Sequence, residues 1–254
     1  MARVRVAAVS YLNTIPFLYG LRHSDSALNA ELLLSPPAGC AETIASGNAD
    51  IALIPVAQIP SIDNIRIIGN HCIGAKGNVR TVVLLSASPL NEIKKVYLDP
   101  HSRTSVSLVR ILAEEFWNID VEWLPLESFD DVKPEKGVGF TLIGDKVFGY
   151  ENMFPYNYDL AHEWHEYTGM PFVFAAWVAR DYVGESEVEA LEKALQYGVE
   201  HIPEAAREDN RVDYDTAVKY LTENIDFSLD KEKRKSLEVF LRKHRENATK
   251  INPG

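Results

Sequence analysis

Short apolar runs alternate along the chain with amphipathic stretches. Val4 to Val9 is apolar and β-branched, with polar residues on both sides, and predicts a buried strand. Asn13, Thr14 and Pro16 predict a loop entering a helix, because proline suits a first helical turn. Glu31 to Leu34 predicts a second strand. Ser35-Pro36-Pro37 opens a helix that continues through Ala41 to Ala45 and stops at Gly47. Asp50 to Val56 predicts a third strand, so the first 56 residues read strand, helix, strand, helix, strand. That order is the signature of a parallel α/β unit.

The pattern then recurs. Arg66 to Gly69 and Val79 to Ser86 predict strands, and Lys95 to Leu98 begins a new set. The polar loop His101 to Ser105 precedes an amphipathic helix carrying Val106, Val109, Ile111, Leu112 and Phe116 on its apolar face. Strands follow at Val121 to Leu124 and Val138 to Ile143, then a helix from Asp159 to Thr168 stopped by Gly169. Pro171 to Ala179 is a long apolar strand, and from Glu185 the chain turns helical and charged. Two α/β lobes are expected: residues 1–87 with 175–254, and residues 88–174. The C-terminal helices would cover the first lobe. Two chain crossings, near Ser86 and Met170, would form a two-stranded hinge with the ligand cleft between the lobes.

Composition narrows the classes. The 254 residues carry 26 basic and 37 acidic side chains, a formal charge of -11. That balance argues against nucleic acid and against anionic membranes as partners. It also sets a puzzle, since an acidic chain is not the first guess for an anionic ligand. No run approaches the ~20 apolar residues of a membrane helix. The start is too short in apolar residues for a signal peptide. Cys40 and Cys72 have no metal-type spacing. A cytoplasmic, thiol-reduced protein is expected.

The candidate chemistry gathers where predicted strands end. Ser10-Tyr11-Leu12-Asn13 follows the first strand, Ser86 closes the Val79 strand, Ser102 to Ser105 precedes a helix, and Gly144-Asp145 ends the Val138 strand. Hydroxyls, amides and helix-start N–H groups placed this way suit a carboxylate ligand. Each also has an ordinary explanation, Thr104 or Ser105 as a helix cap and Asn13 as a turn residue. His101 lies beside the same loop and is a further cleft candidate. His162 and His165 stand three residues apart, where a zincin needs four, so a solvated helix face is expected there. No dinucleotide fingerprint, phosphate-binding P-loop or hydrolase elbow is present. Pattern stops at a two-lobed α/β protein with an anion-friendly cleft.

Five segments go further. Ser10 to Pro16, Gly47 to Pro55, Ser102 to Ser105, Leu142 to Asp145 and Thr168 to Trp177, in this order, resemble the chorismate dehydratase family of the futalosine route to menaquinone. The resemblance runs from about residue 4 to 180. It implies a type II periplasmic-binding-protein-like fold and the conversion of chorismate to 3-[(1-carboxyvinyl)oxy]benzoate, with no metal and no organic cofactor. On that reading Ser86, Thr104 and Ser105 take a substrate carboxylate, with Ser102 and Gly144 in the same binding set. Ser10 and Asn13 face the reacting ring. Asn13 and Asp145 are the catalytic candidates, with Asp145 the protein alternative to a base supplied by the substrate. Trp177 either touches ligand or packs the hinge. The partner is a small molecule, and the chain is a monomer or a dimer. The competing readings are the sister enzyme that releases 1,4-dihydroxy-6-naphthoate and a non-catalytic anion binder. A transport binding protein would need an export signal or anchor, and a regulator would need a DNA-binding segment.

Overall fold

The computed structural model describes residues 3–26 and 28–251. The elements run β1 (Val4–Val9), α1 (Ile15–His23), β2 (Ala30–Ser35), α2 (Pro37–Ala45), β3 (Ile51–Pro55), β4 (Ile65–Ala75) and β5 (Val82–Ser86). They continue with β6 (Lys95–Leu98), α3 (Thr104–Glu115), β7 (Glu122–Pro125), β8 (Val138–Ile143), β9 (Tyr156–Asp159), α4 (Leu160–Thr168) and β10 (Phe172–Arg180). The chain closes with α5 (Glu185–Glu200), α6 (Ile202–Arg207), α7 (Tyr214–Lys219), β11 (Asp226–Ser228) and α8 (Lys231–Ile251). They form two compact units: residues 1–74 with 173–231, and residues 75–172 with 232–254.

Unit 1 is built on a six-stranded sheet ordered β11-β4-β10-β3-β1-β2. β1 is parallel to both β2 and β3, so these three strands end on one edge. β10 runs antiparallel to β3. Strand residues that alternate in side-chain direction bury both faces. One face carries Ala7, Val9, Ala52, Ile54 and Val178 against Cys40, Ala41 and Ile44 of α2. Burial pushes the Cys40 thiol up to about 12, which marks it as a packing group. Phe17 of α1 meets Trp177 and Phe227 edge-on, with ring centroids 5.7 and 5.2 Å apart. Trp177 is fully buried in this aromatic packing. α1 and α5 cross at glycines, where a Cβ on Gly20 would overlap the Ala194 carbonyl and one on Gly198 the Pro16 carbonyl.

Unit 2 has a five-stranded sheet ordered β7-β6-β8-β5-β9. β6 is parallel to β7 and β8, while β5 is antiparallel to β8 and to β9. Val83, Leu85, Val138, Phe140 and Leu142 point to one face and pack with Leu126, Val132, Val147 and Phe154. Asp159 caps α4 by accepting from the backbone N–H of Ala161 and His162. Trp164 of α4 is fully buried against Phe172 and Phe240, and its Nε1 donates to Ser236 Oγ at 3.0 Å.

Two boundaries differ from the sequence expectation. The first junction lies at residues 74 and 75, ahead of β5, so β5 belongs to unit 2. The last helix also belongs to unit 2, not to the first lobe. α8 is bonded there through Ser236 to Trp164, Lys243 to Glu115 and Tyr167, and Asn247 to Glu114. The chain therefore passes between units three times, where two passages were expected.

Candidate functional site

Each sheet gathers polar groups at the edge where its parallel strands end. In unit 1 the segment after β1 turns at once. Ser10 N–H donates to the Ser35 carbonyl at the end of β2, and Leu12–Thr14 form a single 3-10 turn. Thr14 is buried, and its hydroxyl donates to Asn13 Oδ1 at 3.1 Å. Ser10 is exposed and Asn13 half-buried. A distant segment completes this edge: the Arg211 guanidinium donates to the Ser10 carbonyl at 2.7 Å and pairs with Asp209 at 2.8 Å. After β3, Gln58 has a buried Oε1 with no hydrogen-bond partner among the described residues.

In unit 2 the ends of β6 and β8 stand side by side because the strands are parallel. Asp99 follows β6, and its carboxylate is fully buried. It accepts from the His101 N–H at 3.0 Å, the Ile143 N–H at 3.1 Å and Lys146 Nζ at 2.6 Å. The Asp99 carbonyl accepts from Ser102 N–H, and Ser102 Oγ accepts from Ser105 N–H in the first turn of α3, which satisfies one of the helix-start donors. Ser102, Thr104 and Ser105 are each 3% exposed, so the hydroxyls lie within the start of the helix. Gly144 leaves β8 with φ 74 and ψ -165, a conformation reserved for glycine, and donates to the Thr81 carbonyl at 2.8 Å. Asp145 and Lys146 follow on a 3-10 turn. Burial pushes the Lys146 ammonium below its ordinary value, with Asp99 pulling the other way. His101 is exposed, its Nδ1 4.0 Å from Asp99 Oδ1.

Ser86 is not part of this edge. β5 runs antiparallel to β8, and Ser86 pairs with Gly139 near the start of β8, opposite the Gly144 end. Its hydroxyl is buried, donates to the Val138 carbonyl at 2.8 Å and accepts from Ser88 N–H at 3.0 Å. Every bond it makes is structural. What the sense of β5 brings to the site edge is its beginning, at Thr81. Sequence reasoning also passed over Asp99, Lys146 and Arg211. Asp99 stands directly after a predicted strand and Lys146 beside a predicted site residue, so position alone could have flagged both. Arg211 carries no local signal. Among the described residues no helix is long and apolar enough to cross a membrane.

Known structures share this architecture. The chain is similar to a protein of Archaeoglobus fulgidus at 16% identity and TM-score 0.75, covering 99% of this chain and 98% of that one. It is similar to the periplasmic aliphatic sulphonate binding protein of Escherichia coli at 13% identity and TM-score 0.66, covering 98% and 93%. A Candida albicans protein described as having the generic periplasmic-binding-protein fold matches at 12% identity and TM-score 0.63, covering 94% and 90%. The fold is that of the periplasmic binding proteins. A family model for menaquinone biosynthesis matches residues 4–246, and the chain belongs to that family.

Proposed function

We propose that this member of the menaquinone-biosynthesis family is the chorismate dehydratase of the futalosine route, a hydro-lyase that forms 3-[(1-carboxyvinyl)oxy]benzoate and water. The observation that carries the reading is the placement of two of the motif loops. Ser10 to Asn13 and Ser102 to Ser105 each stand at the end of a parallel strand, and the second opens a helix whose N-terminus favours an anion.

Dehydration removes the proton from the carbon bearing the enolpyruvyl ether and the hydroxyl from the neighbouring carbon. The hydroxyl leaves with a proton as water, and the ring becomes aromatic. The enzyme must hold a dianion and assist proton transfer. Thr104, Ser105 and the start of α3 are assigned to a carboxylate, and Ser10 and Asn13 to the reacting ring. Asn13 does not titrate, so it cannot be the base. Its Oδ1 is engaged by Thr14, which leaves its amide N–H groups to orient the hydroxyl or stabilise developing charge. The base is then the substrate's own enolpyruvyl carboxylate, which lies close to the carbon that loses the proton. Asp145 is the protein alternative.

Incubation of the purified protein with chorismate tests the reaction. Loss of chorismate absorbance with appearance of the aromatic acid, identified by mass, is the expected result. No product under any condition overturns it. Near-normal turnover in Asp145→Asn excludes Asp145 as the base.

A further inference from the structure

The Lys146 ammonium at the unit 2 edge has no part in the binding proposed so far. It is held on two sides, by Asp99 Oδ2 at 2.6 Å and by the face of Phe129, 3.6 Å from the ring centroid. Asp99 is itself fixed first: two backbone N–H groups, one from each strand end, hold its carboxylate before the lysine is counted. An ammonium has three N–H donors, and Asp99 takes one of them. The Asp99 side chain is 0% exposed and that of Lys146 22%. The pair therefore presents its cationic member outward, and the Asp99 carbonyl accepts from Ser102 N–H just ahead of α3.

We infer that Lys146 binds a carboxylate of the substrate, with Asp99 as the positioning residue that aims the ammonium. The ligand class, a small organic carboxylate, follows from the charge and from the helix start beside it. Only the identity of the substrate rests on the proposed dehydratase function. A local cation also answers the charge puzzle: a net charge of -11 spread over the chain is screened beyond about 8 Å, whereas an ammonium in contact is not.

Lys146→Met alone strands the Asp99 carboxylate in the interior, so the test uses Lys146→Met/Asp99→Asn, which removes both charges. Circular dichroism and the thermal transition establish that the variant is folded. Two readouts follow: steady-state kinetics on chorismate, and calorimetric titration with isophthalate as a plain aromatic dicarboxylate. The expected result is a rise in KM of roughly tenfold or more, the loss expected for a hydrogen bond between charged groups, with kcat nearly unchanged. Isophthalate affinity falls in parallel, and the ionic-strength dependence of KM flattens. Lys146→Arg, which keeps the charge, retains most of the affinity. Unchanged KM and isophthalate affinity in the folded double variant, or a fall in kcat alone, overturns the inference. If the wild type makes no product from chorismate, the dehydratase reading fails and the titration still decides. Weaker isophthalate binding in the double variant supports Lys146. Equal binding, or none by the wild type, overturns it.

Discussion

The two units solve one problem in different ways. In each, a loop at the end of a parallel strand has to be held in one shape. Unit 2 does this with two adjacent parallel strand ends and one part-buried ion pair: Asp99 fixes His101, Ile143 and Lys146, and Ser102 accepts from the first turn of the helix that follows. Unit 1 holds its loop with neutral hydrogen bonds and then with Arg211, some 200 residues away. The unit 2 loop is fixed by its own strand ends. The unit 1 loop depends on the placement of the segment between α6 and α7. A cation near a ligand edge can thus arise locally or by long-range packing, and only the local kind leaves a mark in sequence.

Four experiments test this contrast. The largest effect is expected from Trp164→Ala, which removes the aromatic centre beneath α8 and costs about 3–5 kcal/mol. In scanning calorimetry the loss should fall on the transition of unit 2; equal loss across the whole profile would show that the units do not unfold separately. Asn13→Ala in unit 1 should lower turnover of chorismate by about 10²–10³-fold, the loss seen when one preorganised donor is removed. Near-normal turnover there would remove Asn13 from the mechanism. Gly198→Ala forces a methyl into the Pro16 carbonyl at the α1–α5 crossing. It should cost about 1–3 kcal/mol, read as a lower denaturant midpoint for unit 1.

The smallest effect is a pH dependence in unit 1. Burial pushes the Asp50 carboxyl up, but hydrogen bonds from Arg5 and Tyr182 outweigh it and hold the group below its ordinary value. A carboxyl depressed on folding adds stability above its unfolded value near 3.9, and that contribution is lost as pH falls through the folded value. Asp50→Asn should therefore melt lower than the wild type at pH 7, with the gap closing below about pH 4. A gap that is the same at both pH values would rule out this coupling.

Much of the fold was legible because burial writes itself into pattern. β3 is a continuous apolar run, β1, β8 and β10 are apolar apart from Arg5, Thr141 and the terminal Arg180, and Gly169 ends α4 with φ 70, as its position beside the amphipathic stretch predicted. The edge strand β9 was not identified, since its Tyr156 and Asn157 are exposed and give no apolar run. Ser86 was misplaced for a different reason. Its strand was identified, but pattern does not state whether a strand runs parallel or antiparallel to its neighbours, and that sense decides which edge its end reaches. The same limit governs α8: its apolar face is plain in the sequence, but nothing in a face names the unit that covers it. The positions of Asp99 and Lys146 were open to notice, but their pairing was hidden by distance, since they are 47 residues apart and meet only when β6 pairs with β8.

The membership of α8 in unit 2 has a consequence for synthesis. Unit 1 has all its strands and helices once residue 231 has left the ribosome. Unit 2, although its sheet is made earlier, lacks its cover over Trp164 until α8 emerges. The nascent chain therefore carries an uncovered apolar face through the making of α5, α6 and α7. The domain begun second is the last to be sealed, and the emergence of α8, not the order of the strands, sets the moment at which it can fold.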